Sequence, residues 1–267
     1  MARARRPKTP GATDALVARL HEFGESSAVA VLLTADRGTV HALAKGAKRT
    51  RNSFLGPLDR GVLYRVRLGR RAGEGLCFLN ASSAREAFPR LRGDPARFCA
   101  ATVVLEVTAD LLREEEPFPE LFRLAAYALK VLDRAPRERL PLVATLFLAR
   151  AVELSGHAPQ VSACVECGRP LGSADLPLVS PGRGGVLHSA CVQAEPGARS
   201  ISRDALALLA LLRREPATRA LQRKAAPATL RELRGLLFEW LERVLDRRFH
   251  APAAMEREFS LTVPSAG

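Results

Sequence analysis

The sequence predicts an α+β chain: a small β-barrel in front, a helical body behind it, and a loop-rich insert within that body. Three observations carry the prediction. Residues 14–81 break into short apolar or alternating runs punctuated by turn signals, the mark of short strands. Beyond Asp94 the chain switches to long runs opened by prolines and capping residues, the mark of helices. Between Pro159 and Pro196 periodicity disappears while Gly and Pro recur. With 267 residues and 47% hydrophobic content the chain can bury a real core, and 5% aromatics leave that core to Leu, Ala and Val.

Residues 1–13 form a basic, Pro/Gly-bearing arm. Asp14–Phe23 alternates as a strand, and Ala28–Thr34 is apolar enough for a buried one. Ala35-Asp36-Arg37-Gly38 is a hairpin turn in which Gly38 supplies positive φ, and Thr39–Ala44 returns as the third strand. Val62–Leu68 is the cleanest period-2 segment, with Val62, Tyr64, Val66 and Leu68 on one face and Leu63, Arg65 and Arg67 on the other. Gly75–Ala81 is the fifth strand. Five short strands in so few residues match the count of an OB-fold barrel.

Asp94-Pro95 opens a helix expected to reach Arg113, a second runs from near Pro117 to Arg134, and a third from Arg137 to Ser155. Helix returns at Ser202–Arg214 and from Thr229 to Arg248, where Thr229 and Glu232 have capping-box spacing. The expected organisation is arm plus barrel at 1–81, helical domain at 82–158 and 200–250, insert at 159–199, and a frayed tail at 251–267.

The insert holds Cys164-Val-Glu-Cys167 and, further on, His188-Ser-Ala-Cys191. Two ligand pairs, each with two residues between the ligands, match a zinc ribbon in which each turn grips the ion from one side. A lone C-x-x-C carries little weight; the matched second pair is what separates this from unrelated cysteines and a stray histidine. Four protein ligands close the coordination sphere, so the expected role of Cys164, Cys167, His188 and Cys191 is structural, with one zinc folding a segment poor in apolar residues. A zinc deaminase needs H-x-E, and none of the five histidines is followed that way. Neither G-x-x-x-x-G-K-[ST] nor G-x-S-x-G occurs. Glu114–Glu116 is expected as a solvated helix end, and Cys77 and Cys99 as core residues.

The net charge of +13 is uneven: residues 1–80 carry 15 Lys/Arg against 6 Asp/Glu, whereas 81–160 balance at 11 each. Its centre is Ala44–Phe54, with Lys45, Lys48, Arg49 and Arg51 and no acid. Taken alone such a run is better explained by a solvated loop. Leaving a barrel strand, and joined by Arg65, Arg67, Arg70 and Arg71 on the next strand and turn, it forms a surface that would track a phosphate backbone. Phe54, Phe78 and Tyr64 are candidate stacking platforms, although Tyr64 lies on the apolar face. The basic start runs into Pro7 and Pro10 and not into an apolar run, and Arg150 interrupts the longest apolar stretch. Cytoplasmic residence with no membrane partner is therefore expected.

In the segment Asp14–Gly61, with its Thr-Ala-Asp-Arg-Gly turn and Ala44-Lys45-Gly46-Ala47-Lys48-Arg49, followed by helices and the cysteine insert, the chain resembles the RecO family of bacterial DNA-repair mediators. His188 stands where zinc-binding members more often have cysteine. The resemblance implies an OB domain that binds single- and double-stranded DNA, and annealing of complementary strands. It also implies cooperation with RecR, recognition of the acidic tail of single-strand-binding protein, and loading of RecA, by a nucleoid-associated protein that is not an enzyme. Two other functions remain open from the residues: an RNA-binding OB/zinc-ribbon module, and a metal-dependent nucleic-acid enzyme.

Overall fold

The structure is a computed structural model, and it describes residues 11–47, 58–73, 75–172, 175–192 and 197–262. It divides into two compact units, one built on Met1–Pro89 with Thr108–Ala126, the other on Arg90–Val107 with Tyr127–Gly267.

The first unit is a closed five-stranded barrel of OB type. Strands β1 (Ala12–Phe23), β2 (Ser27–Thr34) and β3 (Gly38–Ala44) form an antiparallel meander. β5 (Leu76–Glu86) pairs parallel with β3 and antiparallel with β4 (Leu63–Gly73), and β4 closes the ring on β1. Closure gives each of these strands a neighbour on both sides. The alternation seen in β4 holds: Tyr64, Val66 and Leu68 point into a core with Ala15, Val17, Ala30, Leu32, Ala42, Ala44, Cys77 and Leu79, while Arg65 and Arg67 face out. Tyr64 is therefore a core residue, and its hydroxyl accepts from the Asp59 N–H at 2.8 Å. β1 departs from simple alternation, since a bulge between Val17 and Arg19 buries Leu16, Val17 and Ala18 consecutively.

β5 runs five residues beyond the expected Ala81, and the reason is its partner. Asn80–Glu86 is polar without alternation, yet it pairs with β4 through a bulged register that sets Ser83 opposite Arg65. The helix α2 (Pro95–Leu111) ends short of Arg113 because the chain then turns onto β3. Thr39 donates its N–H to the Arg113 carbonyl at 3.1 Å and its hydroxyl to the Leu112 carbonyl at 2.9 Å. Glu114 bridges to β3 and pairs with His41 at 3.1 Å, so the acidic triplet is not wholly a solvated helix end. Gly38 holds this approach: its φ is 65°, and a Cβ there would lie 2.1 Å from the Arg113 carbonyl oxygen. Gly38→Ala is expected to cost about 2–4 kcal/mol, combining left-handed strain with backbone displacement, read as a drop in melting temperature.

The second unit holds α1 (Arg90–Gly93), α4 (Leu140–Leu154), α5 (Arg203–Arg214), α6 (Ala217–Ala220), α7 (Pro227–Leu245) and α8 (Ala251–Thr262). Helices α2 (Pro95–Leu111) and α3 (Pro119–Arg134) each contribute to both units. Asp94 caps α2 through its side chain to the Ala96 N–H at 2.9 Å, as its sequence position predicts. α4 is buried almost throughout and packs against α5 and α7, which is where the longest apolar stretch goes. No helix among the described residues is long and apolar enough to cross a membrane. The expected capping box does not form: α7 starts at Pro227, and Glu232 instead accepts from the Ser202 N–H at 2.7 Å, closing the start of α5. The stretch expected as a frayed tail begins with α8. Met255 and Phe259 bury one of its faces, and Glu256 pairs with Arg234, whose guanidinium lies 5.1 Å from the Phe259 ring.

Candidate functional site

Residues 157–201 leave α4 and return to α5 through a small sheet of β6 (Leu178–Ser180), β7 (Gly185–Leu187) and β8 (Arg199–Ser200), in the order β7-β6-β8. Its root is tied down by Trp240, whose indole N–H donates to the His157 carbonyl at 2.6 Å, and by Arg213, which donates to the Pro159 carbonyl at 2.9 Å. Gly185 lets β7 approach Gln160: a Cβ there would lie 2.4 Å from the Gln160 carbonyl oxygen, where Val186 N–H donates at 2.9 Å.

The four expected ligands meet. The Sγ atoms of Cys164, Cys167 and Cys191 and a ring nitrogen of His188 all lie within 4.8 Å of one another. Tetrahedral zinc with Zn–S near 2.3 Å sets its donors about 3.7 Å apart, so the quartet has the size of a closed site. The first pair sits on a tight turn in which Gly168, at φ 72°, donates to the Cys164 carbonyl at 2.9 Å. The second sits on a 3-10 turn closed from the Cys191 N–H to the His188 carbonyl at 2.9 Å. His188 Nδ1 lies 3.4 Å from Cys167 Sγ and 3.9 Å from Cys191 Sγ. Its Nε2 faces the Pro170 carbonyl at 3.2 Å and Asp175 at 3.4 Å, a placement that keeps the proton on Nε2 and leaves the Nδ1 lone pair to the ion.

Electrostatics point the same way. Burial raises the Cys164 thiol, but backbone N–H groups of Cys167, His188 and Glu166 aimed at its sulfur prevail and bring it to about 6. Cys167 is lowered by the backbone and guanidinium of Arg169. Cys191 is pushed up to about 11, first by burial and then by the neighbouring Cys167 and Cys164. Three thiols so close cannot all ionise unless a cation joins them. Three thiolates and a neutral imidazole around a divalent ion leave one net negative charge, and Arg169 sits beside it to balance it. Arg169 escaped the sequence reading, although it follows the knuckle glycine directly. The residues fit a structural metal ion, and the chemistry they support is cross-linking of two turns. Cys77 and Cys99 take no part; Cys77 lies in the barrel core, and burial beside Glu258 raises the Cys99 thiol.

The expected basic surface is placed in part. Lys48, Arg49 and Arg51, with Phe54, lie outside the described residues. Lys45 is exposed where β3 ends, and its Nζ lies 4.7 Å from the Phe78 ring centroid. The Phe78 ring, expected as a stacking platform, thus already carries a cation on its face. Arg65, Arg67 and Arg70 are exposed on β4, and Arg71 stands opposite Cys77 in the β4–β5 register. Because β3, β5, β4 and β1 are consecutive around the barrel, Lys45, Arg65, Arg67 and Arg70 share its outer surface. Asp14 joins them from β1: its carboxylate pairs with Arg65 at 3.2 Å and with Arg85 of β5 at 2.9 Å. A cavity of about 600 Å³ beside β3 is lined by Asp36, Arg37, His41, Glu114 and Glu115, and its carboxylates suit phosphate poorly.

Comparison with known proteins agrees with this layout. The family models described as Recombination protein O N terminal and Recombination protein O C terminal match residues 11–88 and 92–253. The chain is 34% identical over 236 residues to the DNA repair protein RecO of Anaeromyxobacter sp. (strain K), covering 88% of this chain and 92% of that one. It is 36% identical over 239 residues, with the same coverages, to the protein of that name from Anaeromyxobacter dehalogenans (strain 2CP-C). For its namesake from Rhodopirellula baltica the figures are 32% over 206 residues, 76% of this chain and 74% of that one.

Proposed function

The chain belongs to the RecO family, and from that membership we propose that it is a recombinational-repair mediator that binds single- and double-stranded DNA and anneals complementary strands. It works with RecR and the acidic tail of single-strand-binding protein, and it helps RecA onto coated single strands. The observation that carries this is the closed OB-type barrel with Lys45, Arg65, Arg67 and Arg70 on its exterior. Arginines spaced two apart on an outward strand face meet phosphates, and few aromatics accompany them, so binding depends on the backbone and little on base identity. Lys48, Arg49, Arg51 and Arg71 are the further phosphate contacts of this proposal.

Annealing needs no bond cleavage. Cations screen two strands that repel each other, and base pairing supplies the free energy, so the protein acts as a mediator and not as an enzyme. One structural zinc, held by Cys164, Cys167, His188 and Cys191, folds the insert. Residence is cytoplasmic, on the nucleoid, with no membrane partner.

Competition between matched single-stranded DNA and RNA tests the proposal. DNA should bind at least as well as RNA of the same sequence, with affinity falling steeply as salt rises. Strong preference for RNA would favour an RNA-binding module and overturn the repair role. Cleavage of labelled DNA that copurified with the protein in divalent metal would overturn the non-enzymatic one.

A further inference from the structure

Arg85 lies beyond the basic stretch that the sequence singles out, and the fold brings it to Arg65. Arg65 on β4 stands opposite Ser83 on β5 and opposite Asp14 on β1, so three strands converge on one spot of the barrel exterior. There Arg85 Nη1 donates to both oxygens of Asp14, at 3.0 and 2.9 Å, while Arg65 Nη1 donates to Oδ1 at 3.2 Å. Two guanidinium groups, each through its Nη1, thus hold one small, planar anion. Both arginine side chains stay about half exposed, at 46% and 54%, whereas Asp14 is 26% exposed. Both side chains are thus open to an incoming anion, and the trio carries one net positive charge.

We propose that Arg65 and Arg85 form a phosphodiester seat, and that Asp14 is its internal stand-in. The proposal rests on the nucleic-acid-binding role of the barrel. A carboxylate and a phosphodiester each present two oxygens to a guanidinium fork in the same way. Asp14 holds the two side chains in a receiving geometry, which removes part of the ordering cost of binding. It also competes with the incoming phosphate for the same donors and repels it, so the seat is weak for an isolated anion. A backbone that neighbouring cations such as Arg67 already hold close is what fills it. Asp14 therefore tunes this part of the surface toward polymeric nucleic acid.

Two consequences follow that a merely structural surface ion pair would not produce. Loss of the arginines weakens nucleic-acid binding, and loss of the Asp14 charge strengthens it only while the arginines are present. The test is fluorescence anisotropy of the full-length protein with labelled oligothymidylate and, in parallel, oligouridylate, across a salt series. The parent is compared with Asp14→Asn, Arg65→Gln/Arg85→Gln, the triple variant, and Glu25→Gln as a control for removing one exposed acid elsewhere on the barrel. Circular dichroism establishes that each variant is folded.

Arg65→Gln/Arg85→Gln should weaken oligothymidylate binding about fivefold at 0.1 M salt and flatten the log–log salt slope by roughly 0.7, the value of one phosphate contact on a single strand. Asp14→Asn should tighten binding severalfold, more than Glu25→Gln does, and the gain should vanish in the triple variant. The seat is overturned if the arginine pair binds as the parent does, if Asp14→Asn gains no more than Glu25→Gln, or if the arginine loss appears only with oligouridylate. If the parent itself fails to bind oligothymidylate, the DNA-binding function falls and the seat with it.

Discussion

Cys164→Ala is expected to abolish metal binding and to unfold the insert between α4 and α5 while leaving the helices standing. The reasoning starts from what the insert has to hold it together. β6, β7 and β8 span only three, three and two residues. Buried apolar side chains there are few, chiefly Val179, Val186 and Leu187. A sheet this small is not independently stable in water, so the missing free energy is expected from an ion held by the quartet, for which structural zinc supplies apparent values of about 10–16 kcal/mol. Cys164 is the deepest ligand and the one whose sulfur receives backbone N–H bonds from both turns. Its loss removes a ligand and unties both turns. Elemental analysis of protein purified without chelators should find about one zinc per chain in the parent and in a Cys99→Ala control, and nearly none in Cys164→Ala. Limited proteolysis should then cut between Pro159 and Ile201, with the α4–α5–α7 core resistant because Leu140–Val152 is buried independently of the metal.

Reversing Lys48 and Arg49 to Glu is expected to weaken single-stranded DNA binding by more than about 25-fold at 0.1 M salt. Each phosphate neutralised on a single strand releases about 0.7 of a counterion, worth roughly a factor of five at that concentration, so losing two contacts gives this lower bound before the repulsion of the new acids is added. The weakening should be uniform across base sequences, because charge on the backbone carries no sequence information. A titration in which the double variant kept both the parent's affinity and its salt slope would remove Ala44–Phe54 from the binding surface.

Much of the barrel was legible because β4 is half-buried. A strand with one wet face must alternate, and Tyr64, Val66 and Leu68 against Arg65 and Arg67 do so in the fold as in the chain. The meeting of the Cys/His quartet was legible because ligand spacing on a tight turn is a local property, independent of the rest of the fold. What escaped notice depended on distant partners. Arg85 lies in a polar run that becomes strand only because β4 is there to pair with it. The Glu232 carboxylate had a local use three residues back, yet the Ser202 N–H, thirty residues away in sequence, wins it. α8 carries a helical apolar pair, Met255 and Phe259, too sparse to announce itself without the Arg234–Glu256 clamp that holds it. Arg169 earns its place only once three thiols have gathered around one point.

The most direct test of the proposed role is the annealing of complementary strands coated with single-strand-binding protein, followed by a fluorescent duplex signal with and without this protein. Annealing should be accelerated by the parent, without nucleotide, and much less by the Lys48→Glu/Arg49→Glu variant. If the parent binds the coated strands but leaves the annealing rate unchanged, the mediator function is contradicted.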